Sequence, residues 1–255
     1  MTLEEKRLAM DKLQFASTIC QKCSLYRNPI GKFFGWGSLD AKIMFVAESH
    51  GFRDVNTGEP FAGKSGMLLD KYLHDAGLNR GDIYITDIVK CHPLLDPKFP
   101  SRHGNDRAPK MLELRQCIPK LYDQIRIISP NIICVFGNTA LHAILPISKK
   151  MEVVHGRRFL VKIPKEKLEF YIMPTFHPEF VLKNRIADVF GQDLANVFKW
   201  MNIKSGYKIK KIKCGYLEND KCGYTGQVVM PENCKQCMRQ DPFLGDVFHN
   251  LKVIK

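Results

Sequence analysis

AKIMFVAE, residues 41–48, is the stretch on which the fold turns. Its unbroken apolar core, Ile43 to Ala47, marks a strand buried on both faces rather than an alternating strand with one wet side. Three further runs share this character: IYITDIV at 83–89, NIICVFG at 131–137 and FYIMPTF at 170–176. Helical patterns fall between them, at about 64–77, 111–128 and 138–145. Alternation of this kind predicts an α/β fold, a central and mostly parallel β-sheet with helices on both faces. Ligands of such sheets gather at the carboxyl ends of the strands, where Glu48, Asp87 and His177 sit.

The chain has 255 residues, enough to bury a full core without cross-links. Its 39 Lys and Arg against 26 Asp and Glu leave a net charge of +13, which favours a polyanionic partner such as nucleic acid. The first ten residues are charged where a signal peptide needs an apolar run, and no stretch approaches the roughly 18 apolar residues of a membrane span. A cytoplasmic protein with no membrane partner, acting as a monomer, is the expectation. HPLLDPKFPSRHGNDRAPK, residues 92–110, is Pro-rich, basic and aperiodic, the pattern of a surface loop. After a helix around 187–201 comes the lysine-rich GYKIKKIKCGY and then closely spaced cysteines. A boundary near residue 204 divides a main domain, 1–204, from a small Cys-rich C-terminal module, 205–255.

Eight of the nine cysteines fall into two sets. Cys20 and Cys23 form Cys-x-x-Cys, which lets two thiolates from one turn reach one metal, and Cys91 and Cys117 follow at strand and helix ends. Four thiolates suit zinc or an iron-sulfur cluster, and the spacing alone does not choose between them. The second set, Cys214, Cys222, Cys234 and Cys237, lies in a Gly-rich segment too small for its own apolar core. Structural zinc would supply the missing stability, about 10–16 kcal/mol in small zinc modules. Cys134, inside a strand run, reads as core packing.

From Thr18 to Asn184 five motifs appear in an order that resembles the family 4 uracil-DNA glycosylases. TICQKCSLYRN at 18–28 resembles their first cysteine pair, and GSLDAKIMFVAESHG at 37–51 resembles the strand ending in GEAPG. TGEPFAGKSG at 57–66 is similar to G-x-PFVGRAG, YITDIVKCHP at 84–93 to YITNVVKCRP, and TFHPEFVLKNR at 175–185 to the HPS loop. The resemblance covers about two thirds of the chain. It implies a 4Fe-4S cluster on Cys20, Cys23, Cys91 and Cys117. Before Asn105, Arg107, Pro109 and Glu113 resume the family pattern, the chain is about nine residues longer; this insertion is either a contact to DNA phosphates or a solvated loop.

A glycosylase works on a base flipped out of the stack. The resemblance assigns Phe61 to stack on that base and His177 to contact its O2, where a donor stabilises the charge of the departing base. Gly63, Lys64 and Ser65, with Gly66, open a helix whose free N–H groups can meet phosphate. The segment 178–185 after His177 is expected as a loop entering the minor groove, with Phe180 and Leu182 as wedge residues and Lys183 and Arg185 near phosphates. Glu48 is retained from GEAPG. Ser49 can hold a water but is a poor base. His50 replaces the motif proline, as a new catalytic or DNA contact or as a loop variant.

The departure with the largest consequence is Asp87, where the family carries the Asn that reads uracil. A carboxylate would meet uracil O4 lone pair to lone pair, whereas a carboxyl accepting from N4 and donating to N3 matches cytosine. Asp54 stands where the family blocks thymine's methyl with the longer Glu, leaving room at C5. Together they point to a C5-modified cytosine in double- or single-stranded DNA. The pattern resembles a phage-defence branch of the superfamily that removes glucosylated 5-hydroxymethylcytosine and leaves abasic sites. A glycosylase for uracil or another deaminated base, and a non-catalytic protein binding modified DNA, are the alternatives.

Overall fold

The computed structural model describes residues 1–28, 31–101, 104–145 and 150–201, together with the backbone of 217–218 and 221–222. One sheet organises the molecule, from β1 (Trp36–Gly37), β2 (Ile43–Ser49), β3 (Tyr84–Val89), β4 (Ile132–Phe136), β5 (Phe159–Ile163) and β6 (Leu168–Thr175), in spatial order β1-β3-β2-β4-β6-β5. The inner four strands run parallel, and β1 and β5 close the edges antiparallel. Every residue of β3 and β4 is buried. Successive side chains of a strand point to opposite faces, so both faces of the sheet are covered, as the apolar runs required.

The helices are α1 (Leu3–Thr18), α2 (Phe52–Thr57), α3 (Lys64–Asp75), α4 (Met111–Ile128), α5 (Gly137–Ile144), α6 (Met151–Val154), α7 (Pro178–Asn184) and α8 (Ala187–Lys199). The expected helix at 111–128 is found at those bounds, and the run 131–137 ends one residue early because Gly137, at φ +83, turns the chain into α5. The segment expected as a loop after His177 is instead the short helix α7. Its signals are local: His177 caps it, Pro178 occupies the first position without needing a donor, and Glu179 lies in the positive first turn. Helix α1 and strand β5 lie outside the elements expected from sequence. The first had a readable signal in the Thr2–Glu5 capping box, where Thr2 Oγ1 accepts from the Glu5 amide and Glu5 Oε2 accepts from the Thr2 amide.

The expected Cys-rich module lies outside the described residues, apart from the backbone of a hairpin pairing β7 (Leu217–Glu218) with β8 (Lys221–Cys222). Cys214, Cys234, Cys237 and the Cys222 side chain, expected as zinc ligands, lie outside the described residues. No helix among the described residues is long and apolar enough to cross a membrane.

One polar group crosses the core beneath β3. Lys90 is buried, and its ammonium donates to Thr86 Oγ1 and Gln124 Oε1, both at 2.6 Å, and to the Asp87 carbonyl. Burial pulls its pKa down to about 8, against the pull of the Cys117 and Asp87 charges. Three acceptors around one buried ammonium fix the strand end that carries Asp87.

Candidate active site

The carboxyl ends of β2, β3 and β6 open into a cleft of about 960 Å³. It is lined by Glu48, Ser49 and His50 from the end of β2, Asp54 from α2, Phe61, Gly63 and Ser65 from the segment into α3, Asp87 from β3, and His177 and Lys183 from α7. Ten of the residues singled out in the sequence therefore meet in one place. Lys64, Phe180, Leu182 and Arg185 do not line the cleft; all four are exposed.

Phe61 is buried at the cleft wall in the left-handed region, φ +55, which few side chains adopt without support. The support is Arg80, which donates to the Pro60 carbonyl at 2.5 Å and the Phe61 carbonyl at 3.3 Å while its guanidinium is anchored by Asp70. Gly66 completes the arrangement, because a Cβ there would lie 1.7 Å from the Phe61 carbonyl oxygen. Across the cleft the His177 ring stands 5.8 Å from the Phe61 ring, centroid to centroid. Sequence inspection missed Arg80, and an isolated Arg in RGD carries no local signal of this role.

His177 Nδ1 accepts the Glu179 amide at 3.3 Å as the helix cap, which places the proton of the neutral ring on Nε2. Burial holds the imidazole below its ordinary pKa, although the carboxylates of Glu48, Glu179, Asp87 and Asp54 pull the other way. The ring is thus set as a neutral donor.

Asp87 is buried, and its Oδ2 lies 3.5 Å from His50 Nδ1. The His50 ring is itself buried, with neither nitrogen hydrogen-bonded. Its backbone carbonyl accepts from His92 Nδ1 at 2.7 Å, and His92 Nε2 faces Asp106 Oδ1 at 2.8 Å. His50 is therefore part of the buried cleft wall beside Asp87. Asp54 holds the Gly51 amide at 3.0 Å and the Ala62 amide at 2.9 Å, tying the end of β2 to the Phe61 segment. Asp54, expected from sequence as a short wall at C5, is in the structure a clamp between these two segments.

The insertion is held by polar residues that follow it. Asn105 is buried and bonds the Asp96 amide and the Asp96 and Phe99 carbonyls, each at 2.8 Å. Arg107 forms a two-pronged pair with the buried Glu113 of α4 at 2.7 and 2.8 Å. So held, Pro93, Ser101, Gly104, Asp106 and Ala108 form part of the cleft wall.

Cys20, Cys23, Cys91 and Cys117 line one small cavity on the far side of β3. The Lys90 amide donates to Cys117 Sγ at 3.4 Å and Lys120 Nζ to Cys20 Sγ at 3.2 Å. Burial pushes the Cys91 thiol up to about 11, so its thiolate needs positive charge close by. Four cysteines around one cavity, with N–H donors to two of their sulfurs, have the donor chemistry of a thiolate-ligated cluster. No group of three or more His, Cys, Asp or Glu among the described residues is arranged as a ready-made metal site. Cys134 is fully buried in β4, as core packing.

Residues 34–200 match the family model of the uracil DNA glycosylase superfamily. The chain belongs to this superfamily. A type-4 uracil-DNA glycosylase of Thermotoga maritima is 36% identical over 166 residues, covering 65% of this chain and 79% of the relative. A type-4 uracil-DNA glycosylase of Pyrobaculum aerophilum is 31% identical over 194 residues, covering 74% of this chain and 93% of the relative. A third, from Saccharolobus solfataricus, is 32% identical over 194 residues, covering 72% and 83%. The superfamily match ends at residue 200, ahead of the lysine-rich segment that begins at 206.

Proposed function

We propose that this DNA N-glycosylase excises a cytosine bearing a C5 substituent, with glucosylated 5-hydroxymethylcytosine of phage DNA as the substrate and antiviral defence as the setting. The observation that carries this is Asp87, a buried carboxyl at the carboxyl end of β3, in the base cleft and beside His50. An amide at that place would suit uracil; a carboxyl suits the N4 and N3 edge of cytosine.

In the proposed reaction the flipped base stacks on Phe61 and its O2 accepts from His177 Nε2–H. The C1′–N1 bond breaks with its electron pair leaving on the base, while Asp87 accepts from N4 and donates to N3. His50 Nδ1 stands 3.5 Å from Asp87 Oδ2 and closes the wall behind the carboxyl. Glu48 balances the cationic sugar and orients the water that adds to C1′, its proton passing to solvent; the Ser49 hydroxyl lines the same space. The product is an abasic site.

Outside the cleft, the amides opening α3 at Gly63, Lys64 and Ser65, with Lys183 and Arg185, meet phosphates, and Leu182 and Phe180 fill the gap left by the flipped nucleotide. Phe180 lies stacked on Phe176 at 5.5 Å, so Leu182 is the freer of the two. Cys20, Cys23, Cys91 and Cys117 hold a 4Fe-4S cluster that serves structure, and the C-terminal cysteines hold zinc.

The names of the relatives favour a second substrate, uracil. Duplexes containing uracil, cytosine, 5-hydroxymethylcytosine or its glucosylated form, assayed for alkali-labile sites, separate the two. Cleavage of the glucosylated base is the expected result; cleavage of uracil alone would establish the repair enzyme. No cleavage of any duplex, with binding retained, would leave a modified-DNA-binding protein.

A further inference from the structure

A polar wall leads out of the base-reading corner along the insertion. It runs from Asp87 Oδ2 to His50 Nδ1 at 3.5 Å, from the His50 ring to the His92 ring at 5.6 Å between centroids, and from His92 Nε2 to Asp106 Oδ1 at 2.8 Å. We infer that this wall is a subsite for a neutral, hydroxyl-bearing group attached to C5 of the base, with Asp106 as the hydroxyl acceptor. The inference rests on the cytosine-type assignment above and locates the substituent that assignment requires.

Direction comes first. C5 is bonded to C4, whose amino group meets Asp87, so a C5 substituent emerges between Asp87 and the short Asp54 side chain and must run along whatever stands next to that opening. His50, His92 and Asp106 stand next to it, and the lining continues to Ser101 and Gly104. Room follows: a cleft of about 960 Å³ is at the upper end of the roughly 300–1,000 Å³ of sites that enclose whole drug-sized ligands.

Chemistry selects the class of group. Asp106 gives one oxygen to His92, and among the described residues its other oxygen has no partner. The two His50 nitrogens, buried and unpartnered, point to a polar group that arrives with the ligand. Arg107 is committed to Glu113 and Lys183 faces Glu179 at 3.7 Å. An anionic group would meet the Asp54, Asp87 and Asp106 carboxylates, with the exposed Arg53 as the cation left to it, whereas hydroxyls are donors that a carboxylate and an imidazole can both accept. The Asn105 staple holds this wall in place before the ligand comes, so little ordering is needed on binding.

The test compares glucosylated with unglucosylated 5-hydroxymethylcytosine duplexes in single-turnover assays of the wild type, Asp106→Ala and Asp106→Asn, with thermal melting to verify folding. The ratio of kcat/KM for the two bases is expected to fall about tenfold in Asp106→Ala, the size of one lost hydroxyl hydrogen bond, and less in Asp106→Asn, which keeps an acceptor. An unchanged ratio, whether both activities drop or neither does, would overturn the subsite and leave Asp106 as a loop clamp. Should the wild type cut neither base, the proposed reaction fails on its own. Binding of uncleavable 2′-fluoroarabino duplexes then decides: a preference for the glucosylated duplex that Asp106→Ala removes sustains the subsite, and no preference overturns it.

Discussion

His50 Nδ1 lies 3.5 Å from Asp87 Oδ2, with both side chains buried at the carboxyl edge of the sheet. Asp87→Asn removes the carboxyl and restores the amide that pairs with uracil. The variant is expected to gain excision of uracil and to lose at least tenfold on the modified cytosine, within the range of about 1–3 kcal/mol for one mispaired polar edge. Unchanged preference in the substrate panel would remove Asp87 from base reading.

His177→Ala is expected to slow the chemical step by about 10²–10³, the cost of an oxyanion-hole donor, with little change in duplex binding. The pH dependence has a defined sign. The folded-state pKa of His177 lies below the ordinary value of about 6.5, so the unfolded chain takes up the proton first. Its contribution to stability is complete above pH ~6.5 and is lost as pH falls towards the folded value. Protonation also sets an N–H against the Glu179 amide. The acidic limb of single-turnover rate should therefore fall below pH ~6.5 and disappear in His177→Ala.

Gly66→Ala and Arg80→Ala attack the Phe61 segment from two sides. The first places a methyl 1.7 Å from the Phe61 carbonyl oxygen, and the second removes the donors to Pro60 and Phe61. Both are expected to weaken binding of a duplex with a flippable base by about 1–3 kcal/mol, the worth of base–aromatic stacking. Phe61→Ala should match that loss, and Phe61→Trp should retain most of the affinity. Equal binding by all of them would show that Phe61 does not stack.

Cys91→Ser is expected to abolish iron content and the thiolate-to-iron absorbance, and to lower the melting temperature. Elemental analysis of the wild type should give about four iron atoms per chain, and truncation after residue 204 should remove zinc alone. Retention of zinc by the truncated chain would place that metal elsewhere.

Much of this was legible from sequence because the signals are local and redundant. Runs such as IIC and IMFV have one stable destination, and Glu48, Asp87 and His177 follow from where those runs stop. Helix α7 was misread as a loop because motif context outweighed the His177–Pro178–Glu179 start signal. His50 stayed ambiguous for a different reason: its meaning depends on Asp87, 37 positions away in sequence and adjacent only because β2 and β3 pair in parallel, with Ala47 opposite Asp87. The roles of Arg80 and Asn105 depend on backbone carbonyls that they reach across loops, and no residue pattern encodes such reach.

The Asn105 staple and the Arg107–Glu113 pair make the insertion a separate piece of carpentry, fastened to the start of α4 and not woven into the sheet. On the proposed substrate reading the scissors are inherited, and the choice of what to cut lies with a guard bolted on beside them.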